Sequence, residues 1–125
     1  MSNHHRTVVH LLLAQADRLK DRPAHWSRRG TSWSPVTWRE YAQRVKDFAC
    51  GLQALGFERG DALAILSSNR EEWAVASLAA MAAGGRAVGV YPTSSQEQLA
   101  HVLGHSQARF VLVENGALAR RVQEI

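Results

Sequence analysis

Three short stretches carry the side chains best suited to chemistry: Ser67-Ser68-Asn69, Tyr91-Pro92-Thr93-Ser94-Ser95 and Glu114-Asn115. Each follows an apolar run and precedes a helical pattern. Free backbone N–H groups and the helix dipole favour an anion at such a place. The hydroxyl-rich Thr93, Ser94 and Ser95 form the best anion-site candidate of the three. The same residue types also cap helices, and capping alone accounts for them fully. His101 and His105 stand four residues apart, with Glu97 one turn earlier, and could place two imidazoles on one helix face. Two ligands without a third make no metal site, so none is assigned. Cys50 lies in a helical pattern at the edge of its apolar stripe, with no base beside it. A small buried residue is expected there, not a nucleophile. His4 and His5 read only as part of a terminus. The G-x-S-x-G elbow, the G-x-G-x-x-G turn and the G-x-x-x-x-G-K-[ST] loop are all missing. Residue type and spacing alone yield no catalytic constellation.

The elements that would position these residues follow from periodicity. Val8, Leu12, Leu13, Ala16 and Leu19 recur at helical spacing, with Thr7 as cap and Pro23 as stop. Residues 24–36 read as two short strands around an Arg29-Gly30 turn. Thr37-Trp38-Arg39-Glu40 is a capping box. Trp38, Tyr41, Ala42, Val45, Phe48, Ala49, Leu52 and Leu55 follow one helical stripe after it, and Gly56 ends the helix. Leu63 to Leu66 is a strand buried on both faces. Asn69 is the expected cap of a deeply buried helix from Trp73 to Ala83, ended by Gly84-Gly85. Ala87 to Tyr91 is a second strand. Ser94-Ser95-Gln96-Glu97 is a further capping box, for a helix to about His105. Phe110 to Val113 is a third strand, and Asn115 caps a last helix.

Apolar strands alternating with helices predict the α/β class, with parallel strands joined by right-handed crossovers. The expected architecture is an incomplete parallel, doubly wound-type sheet with flanking helices. Residues 1–36 supply an N-terminal helix plus a short hairpin, and residues 37–125 the alternating core. Three strands make an unfinished sheet, so residues 1–125 are read as an N-terminal fragment of a larger domain. Uncovered strand edges and apolar faces raise the expectation of a homodimer.

Composition bounds the rest. The chain has 125 residues, 46% hydrophobic and 21% charged, which excludes disorder and low-complexity readings. No apolar run reaches the length of a membrane span. One cysteine and a start without an apolar leader point to the cytoplasm. The net charge is +4, and 13 of the 15 basic residues are Arg, the better binder of phosphate. These residues are scattered and do not alternate with aromatics, so a solvated basic surface is expected and no nucleic acid. The four tryptophans are expected to pack in the core or at domain contacts.

Thr37-Trp38-Arg39-Glu40-Tyr41 with Gly51-Leu52-Gln53-Ala54-Leu55-Gly56 resembles the opening core motif of the adenylate-forming (AMP-binding) superfamily. Gly60-Asp61, the strand at Leu63 to Leu66, and Ser68-Asn69-Arg70-Glu71-Glu72-Trp73 continue the match. The run from Ala83 through Gly89-Val90-Tyr91-Pro92-Thr93-Ser94-Ser95 is similar to the second core motif. Asn-Arg-x-Glu-Trp and Gly-Val-Tyr-Pro-Thr-Ser-Ser are most like the long-chain fatty-acid–CoA ligases. Arg86 departs from the small or apolar residue usual in the family, and Ala62 from a common basic one. The resemblance implies a parent that uses fatty acid, ATP, Mg2+ and coenzyme A, forming an acyl-adenylate and then the thioester. It also implies that the phosphate loop of the T-S-G-T-T-G-x-P-K-G kind, the adenine and ribose motifs and the catalytic lysine lie outside this chain. No residue here matches a catalytic position, no cofactor is expected on the fragment itself, and the fragment alone is expected to be inactive. A membrane-peripheral position for the parent stays open. The alternative is a stand-alone, non-enzymatic α/β interaction or anion-binding module, and a third reading is a basic nucleic-acid binder.

Overall fold

A computed structural model describes residues 7–125. Ten elements follow in order: α1 (Val8–Leu19), β1 (Pro23–Arg29), β2 (Ser32–Thr37), α2 (Trp38–Ala54), β3 (Ala62–Leu66), α3 (Glu71–Ala82), β4 (Arg86–Val90), α4 (Gln96–Ser106), β5 (Phe110–Val113) and α5 (Gly116–Gln123). β1 and β2 form an antiparallel hairpin, and β3, β4 and β5 form a parallel sheet in the order β4-β3-β5.

The alternation of side chains along β3 divides the molecule into layers. Leu63 and Ile65 face one way and pack with Leu12 of α1, Val45 and Leu52 of α2, and Val75 and Ala79 of α3. Ala64 and Leu66 face the other way and meet Leu99 of α4 and Leu118 of α5. All five residues of β3 are buried, as expected for a central parallel strand covered by helices on both sides.

Three helix starts explain themselves. The Thr37 hydroxyl accepts from the Glu40 N–H at 3.1 Å, while the Glu40 carboxylate accepts from the Thr37 N–H at 2.8 Å. Thr7 with His10, and Ser95 with Gln98, close the same reciprocal box. The last box lies one residue later than expected. The Ser94 N–H is held by the Tyr91 carbonyl in a turn, so capping passes to Ser95. A second shift occurs at α3. Arg70, not Asn69, is the capping residue, and its side chain makes no cap hydrogen bond.

Other expectations are corrected by burial. α3 buries Val75, Ala76, Ala79 and Ala80, but Met81 and Ala82 are exposed, because α1 and α2 cover only one side of it. Leu55 is exposed, since α2 has turned past its packed stripe by then. Cys50 is also exposed, one position round from buried Ala49. Core packing holds for Trp38 and Trp73 and not for Trp26 and Trp33, whose hairpin presents them to solvent. Arg86 leaves the β3–β4 register complete from Ala62 opposite Arg86 to Leu66 opposite Val90. Its guanidinium donates to the Gly60 carbonyl at 2.7 Å and the Ser106 carbonyl at 2.8 Å, tying the turn before β3 to the end of α4.

Gly85 lets β4 enter beside the turn before β3. A Cβ there would press on the Asp61 carbonyl and stand 2.5 Å from the Phe57 ring. The Asp61 carbonyl also accepts the Arg86 N–H at 2.9 Å, so it cannot move aside without breaking a backbone bond.

Candidate functional site

Parallel pairing puts Leu66, Val90 and Val113 in one register, so the three strands end along one rim. The connection from β3 to β4 runs through α3 on one face, and that from β4 to β5 through α4 on the other. The two connections therefore diverge between β3 and β5. In open α/β sheets that divergence is where ligands bind.

Here the crevice is closed by the chain itself. Glu114, following β5, accepts the Ser68 N–H at 2.9 Å and the Ser68 hydroxyl at 2.8 Å. Arg70 stands 3.6 Å from the same carboxylate and pairs also with Glu72 at 3.2 Å. The Ser68 backbone donor, then its hydroxyl and the Arg70 charge, hold the Glu114 carboxyl below the usual glutamate range. A small cavity of about 210 Å3 remains beside this clasp, with Phe48, Trp73 and Val113 among its walls. An incoming anion would meet a carboxylate rather than free N–H groups.

The candidates Thr93, Ser94 and Ser95 lie at the other end of the rim, beyond edge strand β4. The Ser95 hydroxyl is engaged by the Gln98 N–H at 3.1 Å. Arg121 of α5 donates to the Pro92 carbonyl at 3.0 Å and the Ser94 carbonyl at 2.5 Å, and packs its Nε against Gln96. The structure thus joins Ser68 to Glu114 and places the Thr93–Ser95 turn apart from them. Asn115 caps α5, accepting from the Leu118 N–H at 3.0 Å.

His101 and His105 stack at 5.7 Å between ring centroids on the exposed side of α4. Among the described residues no group of three His, Cys, Asp or Glu side chains could hold a metal ion. His4 and His5 lie outside the described residues.

A second polar cluster escaped sequence reasoning. Glu71, only 13% exposed, accepts the Ser27 hydroxyl at 2.9 Å and a guanidinium N–H of Arg44, with His25 Nε2 at 3.7 Å. Burial pushes the Glu71 carboxyl up, but the Arg44 and Ser27 hydrogen bonds and the Arg44 charge more than reverse this, and its pKa lies below the usual value. Burial, and secondarily the Glu71 charge, raises the pKa of Tyr41, whose ring meets His25 edge-on at 5.0 Å. Ser27, Arg44 and Glu71 are brought together from β1, α2 and α3, and no local spacing could have announced it.

This three-layer arrangement is shared with solved structures. IdnL1 superposes over 91% of this chain and 23% of its own, with a TM-score of 0.82 and 26% identity. The N-terminal subdomain of Klebsiella oxytoca NpsA matches 90% of this chain and 28% of its own, with a TM-score of 0.78 and 26% identity. The fold is that of the N-terminal subdomain of adenylate-forming enzymes.

Residues 12–125 match the AMP-binding enzyme family, and the chain belongs to that family. The long-chain-fatty-acid–CoA ligase ACSBG2 of Mus musculus is 31% identical over 93% of this chain and 17% of its own length. The long-chain-fatty-acid–CoA ligase FadD15 of Mycobacterium tuberculosis is 39% identical over 74% of this chain and 16% of its own. The chain therefore spans less than a fifth of the length of these curated relatives.

Proposed function

We propose that residues 1–125 form the N-terminal part of the large domain of a long-chain fatty-acid–CoA ligase, and that they build scaffold rather than perform chemistry. The observation that carries this reading is the similarity to curated ligases of that class over most of this chain. In the complete reaction the fatty-acid carboxylate attacks the α-phosphate of ATP, giving an acyl-adenylate and pyrophosphate. The thiol of coenzyme A then displaces AMP to give the thioester.

The residues present do not fit the nucleotide and its Mg2+. The crevice between β3 and β5 holds the Glu114 carboxylate on the Ser68 donors, which disfavours a polyphosphate. No step of the reaction is assigned to a residue of this chain. Thr93, Ser94 and Ser95 keep at most the role of an anion-facing turn, with the Ser95 hydroxyl already committed to α4. ATP, Mg2+, coenzyme A and fatty acid are partners of the longer protein. Its place is cytoplasmic and peripheral to membranes, where acyl chains partition. The uncovered edges of β4 and β5 also support a homodimer of the chain when alone.

The purified 125-residue chain should show no fatty-acid-dependent ATP–pyrophosphate exchange, while a full-length ligase carrying it should show both exchange and acyl-CoA formation. Exchange by the short chain overturns the scaffold reading. A full-length protein that adenylates a different acid class overturns the substrate assignment. Light scattering that finds only monomer overturns the dimer.

A further inference from the structure

The hairpin register sorts its side chains into two faces. Trp26 lies opposite Pro35 and Arg28 opposite Trp33, so these four share one face. His25 lies opposite Val36 and Ser27 opposite Ser34, and they share the other. The second face packs inward: Val36 is buried, the Ser27 hydroxyl reaches Glu71, and His25 meets Tyr41. Among the described residues nothing covers the first face. Trp26 is 55% and Trp33 62% exposed, an unusual outlay of indole surface on a two-stranded ribbon.

The hairpin itself carries charge of one sign. Residues 22–37 include Arg22, Arg28 and Arg29 and contain no Asp or Glu. Arg28 Nε donates to the Gly30 carbonyl at 3.0 Å, which keeps its guanidinium at the turn next to Trp33. A cleft of about 720 Å3 separates the hairpin from the first turn of α3, with Trp26, Trp33, Arg70, Glu71 and Glu72 among its walls; Glu71 is paired with Arg44 and Glu72 with Arg70, so neither acid stands there unneutralised. Indole rings carry an apolar body and a polar N–H, and they settle at the headgroup level of a bilayer. Arginine offers paired donors to phosphate. Two aromatic wedges with Arg28 on their face, and Arg29 next to it at the turn, match an anionic lipid surface in both polarity and charge.

We propose that the Trp26, Arg28, Trp33 and Pro35 face of the hairpin docks on an anionic lipid bilayer. This deepens the membrane-peripheral placement given above and rests on it, but it does not rest on the ligase chemistry. The hairpin is the contact, and Glu71, held by Ser27 and Arg44, is the clamp that fixes it to the body of the molecule.

The test is co-sedimentation of the chain with vesicles of phosphatidylcholine plus phosphatidylglycerol, and with phosphatidylcholine alone, without ATP or fatty acid. Binding to the mixed vesicles is expected, with a blue shift in tryptophan fluorescence and quenching by brominated lipid. Arg28→Gln with Arg29→Gln should weaken it roughly tenfold or more, at about 1 kcal/mol per cation. Trp26→Ala with Trp33→Ala should abolish the blue shift, leaving the Trp38 and Trp73 signal. Circular dichroism checks that each variant keeps its fold. Equal binding to neutral vesicles overturns the proposal, as does unchanged binding by folded variants. So does a dimer in light scattering that the tryptophan variants dissolve, since that assigns the face to a second copy. ATP–pyrophosphate exchange by a full-length protein is scored separately, so lipid docking and ligase activity can fail independently.

Discussion

Glu114 and Ser68 are 46 positions apart in sequence, yet both carboxylate oxygens of the first accept hydrogen bonds from the second, at 2.9 Å from its N–H and 2.8 Å from its hydroxyl. The contact staples the end of β5 to the end of β3. It also places a resident anion where the fold would otherwise receive one.

Removing that anion has a directional outcome. Glu114→Gln should lower the melting temperature at neutral pH, because a neutral amide is a weaker acceptor than a carboxylate. The folded-state pKa of Glu114 is lowered, so its contribution is present above the ordinary glutamate pKa and is lost as pH falls through the lower folded value. Melting curves of the two proteins should therefore converge in acid. A gap that stays constant with pH would refute the assignment.

Glu71 obeys the same sign rule from a more enclosed place. Its pKa is also lowered, so its share of stability is complete above the unfolded value and disappears as pH drops through the folded one. Glu71→Gln should cost about 1–2 kcal/mol at pH 7, moderated because Arg44 is 40% exposed and can turn to water. A double-mutant cycle with Arg44→Met should show positive coupling. Tyr41 behaves oppositely in alkali: its raised pKa gives stability that is present below the ordinary tyrosine value and is lost as pH climbs through the folded value.

The glycines separate cleanly. Gly85→Ala should destabilise by about 3 kcal/mol or more, since a Cβ strikes the Asp61 carbonyl and the Phe57 ring. Gly51→Ala, inside α2 with open space around it, should be neutral or stabilising by about 0.5–1 kcal/mol. Urea titration of both variants checks the pair. Equal effects would show that the entry to β4 is looser than described.

Arg86→Ala should cost about 1 kcal/mol in the same titration, through the lost bonds to the Gly60 and Ser106 carbonyls. Arg86→Lys should recover only part of this, because a single ammonium cannot reproduce a planar fork serving two carbonyls. Full recovery by lysine would assign the effect to charge alone.

Much of the fold was legible because its signals are local. Thr37 and Glu40 announce a helix start three residues apart, and the unbroken apolar run of Leu63 to Leu66 announces a doubly covered strand. Legibility failed where a neighbour decided the outcome. Ser94 lost the cap to Ser95 because the Tyr91 carbonyl had already claimed its N–H. Cys50 sits one helical step, about 100°, from buried Ala49, a distinction that a stripe drawn on sequence blurs. The Glu71 cluster was invisible for a stronger reason. Its members are 27 and 44 positions apart, and only the docking of β1 and α2 on α3 unites them. The polar side chains of the rim stretches were visible in the sequence, but which of them would satisfy one another required the strand order.

The central place of β3 carries one more implication, for synthesis. Both of its pairing partners emerge after it and within the next 50 or so positions, at Arg86–Val90 and Phe110–Val113. The innermost strand thus waits unpaired on the ribosome only until β4 and then β5 clear the exit tunnel, and it locks early in synthesis. Nascent chains stalled so that residue 113 has just emerged should already shield Leu63–Leu66 from protease, and those stalled before β4 emerges should not.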